Sequence, residues 1–280
     1  VTTVAPPGPG RPGRRGRLIP LVALLVIVAV AVPAGVGVAM WRAYTRRQPT
    51  VTDAIPAMDR AIADVLAAAG PDPAVAVTGV VRVAVCRLDP IRAGGRYNRV
   101  ASLYTTRGDE DTLITRITQA LPAGYHASRG AGLAGQAAPM TADAGRNVHL
   151  SVRQAGYGWI TATAATGCTT GPGNVITSSP GSGEPGLAAI TGVLTHLGTR
   201  LASAHRNTLT CPAGAIVTIA AVSATTNTEH VADRVPVPPG ARRIALSTDE
   251  VAYRQGTTSL VVAVSDDGTA ITVRHTVETC

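Results

Sequence analysis

Residues 148–168, VHLSVRQAGYGWITATAATGC, and residues 260–280, LVVAVSDDGTAITVRHTVETC, superimpose without a gap. Adding 112 takes Val148 to Leu260, Leu150 to Val262, Val152 to Val264, Gly156 to Gly268 and Cys168 to Cys280. In both stretches an apolar residue recurs at every second position, the period of a strand with one buried face. Ala155-Gly156 interrupts the first run and Asp267-Gly268 the second, and Asp-Gly between alternating runs is a strong hairpin signal. Both stretches read as hairpins that end on a cysteine.

Each hairpin is preceded by a helical pattern and a further cysteine. Over residues 53–69, Ile55, Met58, Ile62, Val65, Leu66 and Ala69 share one face of a 3.6-residue period, with Thr52 or Asp53 as cap and Gly70-Pro71 as stop. Over residues 187–206, Leu187, Ile190, Leu194, Leu197, Leu201 and Ala204 do the same. Cys86 follows the first helix and Cys211 the second. Residues 75–88 and 96–105 read as strands joined by a turn at Ala93-Gly94-Gly95. Residues 109–121 read as a helix with acids at its amide end, and 129–145 as a Gly/Ala-rich loop. The fold class this predicts is α+β: two tandem units, 53–168 and 186–280, each a helix packed on an antiparallel sheet, with a linker at 169–185. Self-contained units pair Cys86 with Cys168 and Cys211 with Cys280. Each bond would stabilise its unit by on the order of 4 kcal/mol.

Upstream, residues 18–40 hold no charged or strongly polar side chain. As a helix that run is about 34 Å long, enough for a hydrocarbon core of ~30 Å. Trp41 and Tyr44 stand where amphipathic rings favour the headgroup layer, beside Arg42, Arg46 and Arg47. This predicts a cytoplasmic tail (1–17), a transmembrane helix in the lipid bilayer (18–41) and a polar stalk (42–52). A signal peptide cut near Gly37-Val38-Ala39, which would secrete the rest, fits the same features. The length of the run and Trp41-Arg42 after such a cut favour the uncleaved anchor. Arg11, Arg14, Arg15 and Arg17 precede the span and three Arg follow it, so charge decides the orientation only weakly. All four cysteines lie beyond the span, which puts that side in an oxidising compartment. The expected location is therefore the cell membrane, single-pass, with the C-terminal part extracytoplasmic. This layout, with Arg as its basic residue throughout, resembles the anchored envelope proteins of GC-rich bacteria.

The net charge of +8 belongs to the anchor. Seven of the 25 basic residues lie in the first 47 positions, which leaves 18 against 17 acids in the remainder. No clustered basic face is left for phosphates, so no nucleic-acid partner is expected. His196 and His205 are nine apart on the predicted helix, not at the i, i+4 spacing of a zinc pair, and no metal or cofactor is expected. Gly181-Ser182-Gly183 lacks the spacing of a nucleophile elbow, and Asp109-Glu110-Asp111 lacks the rest of a calcium loop. Tyr157 and Trp159, on the returning strand with side chains on one face, are the candidate ligand contacts. An aromatic pair suits stacking on a sugar ring or gripping a partner's anchor. The competing reading places both rings in the first core, and Ile271 at the position matching Trp159 favours it. With no catalytic set in view, the sequence predicts a membrane-anchored cell-envelope protein whose non-catalytic module binds an envelope protein or a cell-wall glycan. The alternative is an anchored extracytoplasmic hydrolase whose site is assembled only in three dimensions.

Overall fold

A computed structural model describes residues 50–133, 135–171 and 178–280. The predicted tail, span and most of the stalk lie outside these residues. Among the described residues no helix is long and apolar enough to cross a membrane.

The first helix, α1 (Val51–Ala69), starts earlier than the sequence suggests. Its cap is Thr50, not Thr52 or Asp53. The Thr50 hydroxyl accepts from Asp53 N at 3.1 Å while the Asp53 carboxylate reaches back to Thr50 N at 3.4 Å, a reciprocal capping box. The last three residues assigned to the stalk are thus this cap and the helix's first turn. Met58, Ile62, Val65, Leu66 and Ala69 are buried as their period requires.

Two short strands follow, β1 (Ala74–Val77) and β2 (Val81–Asp89), on one edge of the long β3 (Arg92–Tyr104). The turn between β2 and β3 falls at Pro90-Ile91, where proline presets the backbone and the Asp89 carboxylate accepts from Ile91 N and Arg92 N. Gly94, predicted in that turn, lies inside β3. A Cβ there would meet Thr169 O at 2.8 Å and Cys168 Sγ at 2.9 Å, so glycine admits the close approach of the disulfide-bearing chain. After α2 (Glu110–Ala120), the predicted loop at 129–145 holds two short strands, β4 (Ser128–Arg129) and β5 (Met140–Asp143). Strands β6 (Val148–Gly156) and β7 (Trp159–Thr166) form the first hairpin, which turns at Tyr157-Gly158 rather than at Ala155-Gly156.

The second half opens on α3 (Pro185–His196). The predicted helix over 187–206 is cut short: Leu201 and Ala204 belong to β8 (Leu201–Cys211). Strand β9 (Gly214–Ser223), the short α4 (Val231–Arg234), β10 (Arg242–Ala245), β11 (Glu250–Gln255), β12 (Thr258–Val264) and β13 (Ile271–Glu278) complete the chain.

The halves share one topology. The first sheet runs β1-β3-β7-β6-β5-β4 with β2 beside β3; the second runs β8-β9-β13-β12-β11-β10, and all pairs are antiparallel. With β1 and β2 taken as one interrupted strand, the two orders are the same. In each half a helix precedes the first strand and another joins the second strand to the third. The gapless alignment holds for β7 and β13, whose bounds differ by 112 at both ends. The hairpin loops differ, however: two residues join β6 to β7, and six join β12 to β13.

Both disulfides lie within a half. Cys86 bonds Cys168 and Cys211 bonds Cys280, each pair with Cα atoms 5.9 Å apart, and no described cysteine is free. Paired cysteines throughout are the chemistry of a domain outside the cytoplasm.

Residues 49–280 nonetheless form one compact body. The first core, under α1 and α2, takes in Leu209, Cys211 and Ile216 from β8 and β9. A second core fills the space between α3, α4 and one face of the second sheet. The other face of that sheet receives β1, with Val75 N donating to Ser259 Oγ at 2.9 Å and Val77 N to Thr218 Oγ1 at 3.0 Å. Asp59 on α1, buried and ion-paired with Arg99, also accepts from Thr210 N at 3.0 Å, while Arg99 donates to Thr208 O at 2.7 Å.

Candidate functional site

In the pairing of β3 with β7, Tyr104 faces Trp159, and their rings stack with centroids 6.0 Å apart and planes 16° from parallel. Stacking of this kind suits two quadrupoles offset from one another. With Ala74, Ala76, Ile244, Ala252 and Val261 the two rings form a small apolar cluster between the sheets. At its rim opens a cleft of about 410 Å³, lined by Trp159 from the first half and by Ser247, Asp249, Glu250, Thr272 and Arg274 among others from the second. That is the size of a pocket for a small ligand or a short segment of a larger one.

Glu250, Thr272 and Arg274 are partly buried, while Ser247 and Asp249 are exposed. Arg274 donates to the Tyr104 hydroxyl at 3.3 Å. Burial raises the Glu250 pKa above its ordinary value, against the Arg274 guanidinium and a hydrogen bond with Tyr104. Burial raises Tyr104 too, so its hydroxyl keeps its proton; Arg274 pulls the other way and Glu250 adds to the rise. Trp159 Nε1 is buried and has no hydrogen-bond partner. A buried donor left without an acceptor costs about 1–3 kcal/mol, which an oxygen brought by a ligand would recover. The cleft thus sets the Arg274 guanidinium and three acids, Asp249, Glu250 and Asp266, beside the aromatic wall of Trp159.

The predicted pair of aromatic contacts is split by the turn. Gly158 has φ +70°, and a Cβ there would meet Leu246 and Thr105 O at 2.8 Å. Tyr157 therefore belongs to the turn, 62% exposed, with the Arg107 guanidinium 4.1 Å from its ring centre. Glu110 clamps this turn: its carboxylate accepts from Gly108 N at 2.8 Å and from Gly158 N. Beside it lies a second hollow of about 370 Å³, lined by Arg107, Glu110, Asp111, Gln136, Gln154 and Tyr157 among others. Tyr97 is in the first core, and Tyr125 donates to Asp64 at 2.6 Å, so neither ring joins Trp159.

Of the histidines, His126, His149, His196, His205 and His230 are exposed. His275, half-buried, has its pKa lowered by burial. Among the described residues no group of three His, Cys, Asp or Glu side chains gathers as a metal would need. Of the residues gathered around this cleft, the sequence singled out Trp159 and not Tyr104, Glu250 or Arg274. Their only signal was a charged or hydroxylated side chain on the outward face of a strand, which normally means solvent.

No protein-family model and no curated protein matches the chain. Two solved structures are similar to it. One, described as the crystal structure of MucB in complex with MucA(peri), is 11% identical with a TM-score of 0.14, covering 77% of this chain and 92% of that one. The other, the Pseudomonas aeruginosa MucA/MucB complex, is 11% identical with a TM-score of 0.13, covering 79% and 93%. At such scores the likeness carries no argument about the fold or function of this chain.

Proposed function

We propose that the chain is an extracytoplasmic binding module, tethered to the cell membrane through residues 18–41. In it two copies of one α+β unit, 53–168 and 186–280 joined by 169–185, pair to form a cleft for an envelope ligand. The observation that carries this reading is a cleft lined from both halves, with Trp159, whose indole N–H is buried without a partner, on its wall. The shared strand order supports the two copies. The two disulfides support the compartment. Ile271 holds the position matching Trp159 in the second half, so the copies contribute different surfaces to one site. The ligand supplies an oxygen acceptor to the indole and a polar edge to Arg274 and Glu250. A cell-wall glycan or a segment of an envelope protein meets that description. Tyr157 and Arg107 extend the contact at the neighbouring hollow.

The chain holds two tryptophans, Trp41 and Trp159, so the indole N–H region of a nitrogen-15 NMR spectrum is simple to assign. Soluble cell-wall fragments, or a partner retained from solubilised membranes, should move the Trp159 signal. Trp159→Phe should weaken that binding about tenfold, the worth of one hydrogen bond. A Trp159 signal unmoved by both preparations would remove the reading.

A further inference from the structure

The hairpin made by β2 and the start of β3 leaves three apolar side chains bare. Val83, Val85 and Ile91 are 53%, 69% and 79% exposed. Arg82, Arg87 and Arg96 on the same hairpin are exposed too, and none forms an ion pair among the described residues. In the second half, the equivalent β8–β9 hairpin buries Leu209, Cys211 and Ile216 in the core under α1. The β8–β9 hairpin is thus covered, whereas in the first half the described chain packs on Tyr97, Gly94 and Cys86 of the hairpin and leaves Val83, Val85 and Ile91 open.

The path of the chain indicates what covers them. Thr50 bridges to Thr170, Thr169 bridges to Gly95 in β3, and Cys86 in β2 is bonded to Cys168. The point where the described chain begins, Thr50, therefore lies beside the hairpin. Trp41, at the end of the apolar run, is nine residues from Thr50, at most about 30 Å of extended chain. Branched aliphatic side chains among arginines are what an interfacial segment uses, the former entering the acyl boundary and the latter meeting phosphates.

We propose that the β2–β3 hairpin lies on the anionic surface of the bilayer that the chain's own apolar run enters. This rests on the tether proposed above. The hairpin would hold the module against the membrane, with the disulfide to Cys168 fixing its angle. Each arginine near an anionic surface contributes roughly a fivefold preference for it.

The test uses the full chain in proteoliposomes, with a benzophenone amino acid at position 91 and either anionic phosphatidylglycerol or neutral phosphatidylcholine vesicles. Illumination should give lipid adducts in the anionic vesicles and at least fivefold fewer in the neutral ones. Arg82→Gln, Arg87→Gln and Arg96→Gln together should erase the difference. Flotation of the same samples reads the tether separately. A chain that floats with both vesicles yet gives no lipid adduct overturns the hairpin contact and leaves the tether standing. Adducts to a second copy or another protein overturn it as well, assigning this face to a protein partner. A chain that floats with neither vesicle removes both the contact and the tether.

Discussion

In the sequence Glu250 is one of 17 acids, between Asp249 and Val251, and nothing in its spacing sets it apart. The fold sets it beside Tyr104 and Arg274 at the start of β11, where burial raises its pKa. A carboxyl whose folded pKa is raised gives stability below its unfolded value near 4.5 that is lost as pH rises through the folded value. Glu250→Gln removes that titration. The variant should therefore gain stability relative to the native protein as pH rises above about 4.5, and the difference should vanish in acid. Denaturant unfolding at pH 4 and at pH 7 checks this, and a variant that loses ground at pH 7 would mean the Arg274 attraction outweighs the burial. Trp159 shows the complementary limit. Its size and its place on a hairpin flagged it, but its grouping with Tyr157 failed because the left-handed backbone at Gly158 is not visible in a period-two pattern.

At the scale of elements, α3 shows where periodicity misleads. Leu187, Ile190, Leu194 and Leu197 follow a helical repeat, and Leu201 and Ala204 continue it by spacing alone. The helix stops because Gly198, at φ +73°, permits a Schellman closure: Gly198 N donates to Thr195 O at 3.0 Å and Thr199 N to Leu194 O at 2.9 Å. Glycine one position past the last periodic residue was the available signal, overridden by two further apolar residues. A Cβ at Gly198 meets nothing within 4 Å, so substitution there tests the backbone alone. Gly198→Ala should cost about 1–2 kcal/mol in urea unfolding. A cost near zero would mean that this helix end relaxes without the left-handed residue. By contrast α1 and α2 lie close to their predicted spans, because their apolar faces, acids and stops agree with one another.

For the whole molecule, the matched hairpins and their terminal cysteines made the α+β class and both disulfide pairings legible, and they motivate the repeat proposed above. What the sequence did not reveal is how closely the halves are joined, since contacts between distant segments leave no local period. Strand β1 seats on the second sheet through Ser259 and Thr218, and Asp59 and Arg99 tie α1 and β3 to β8. Removing one partner of such a buried pair typically costs 3–5 kcal/mol, enough to loosen the body. The two disulfide-closed halves are therefore joined without a covalent bridge other than the chain between them. Cleaving that chain within 172–177 tests this most directly. The nicked protein should elute as one body under native conditions and separate into two fragments in denaturant without reductant, each keeping its own disulfide. Native separation of the fragments would contradict the shared body and its cleft, and fragments that stay together in denaturant until reduced would contradict the pairing within each half.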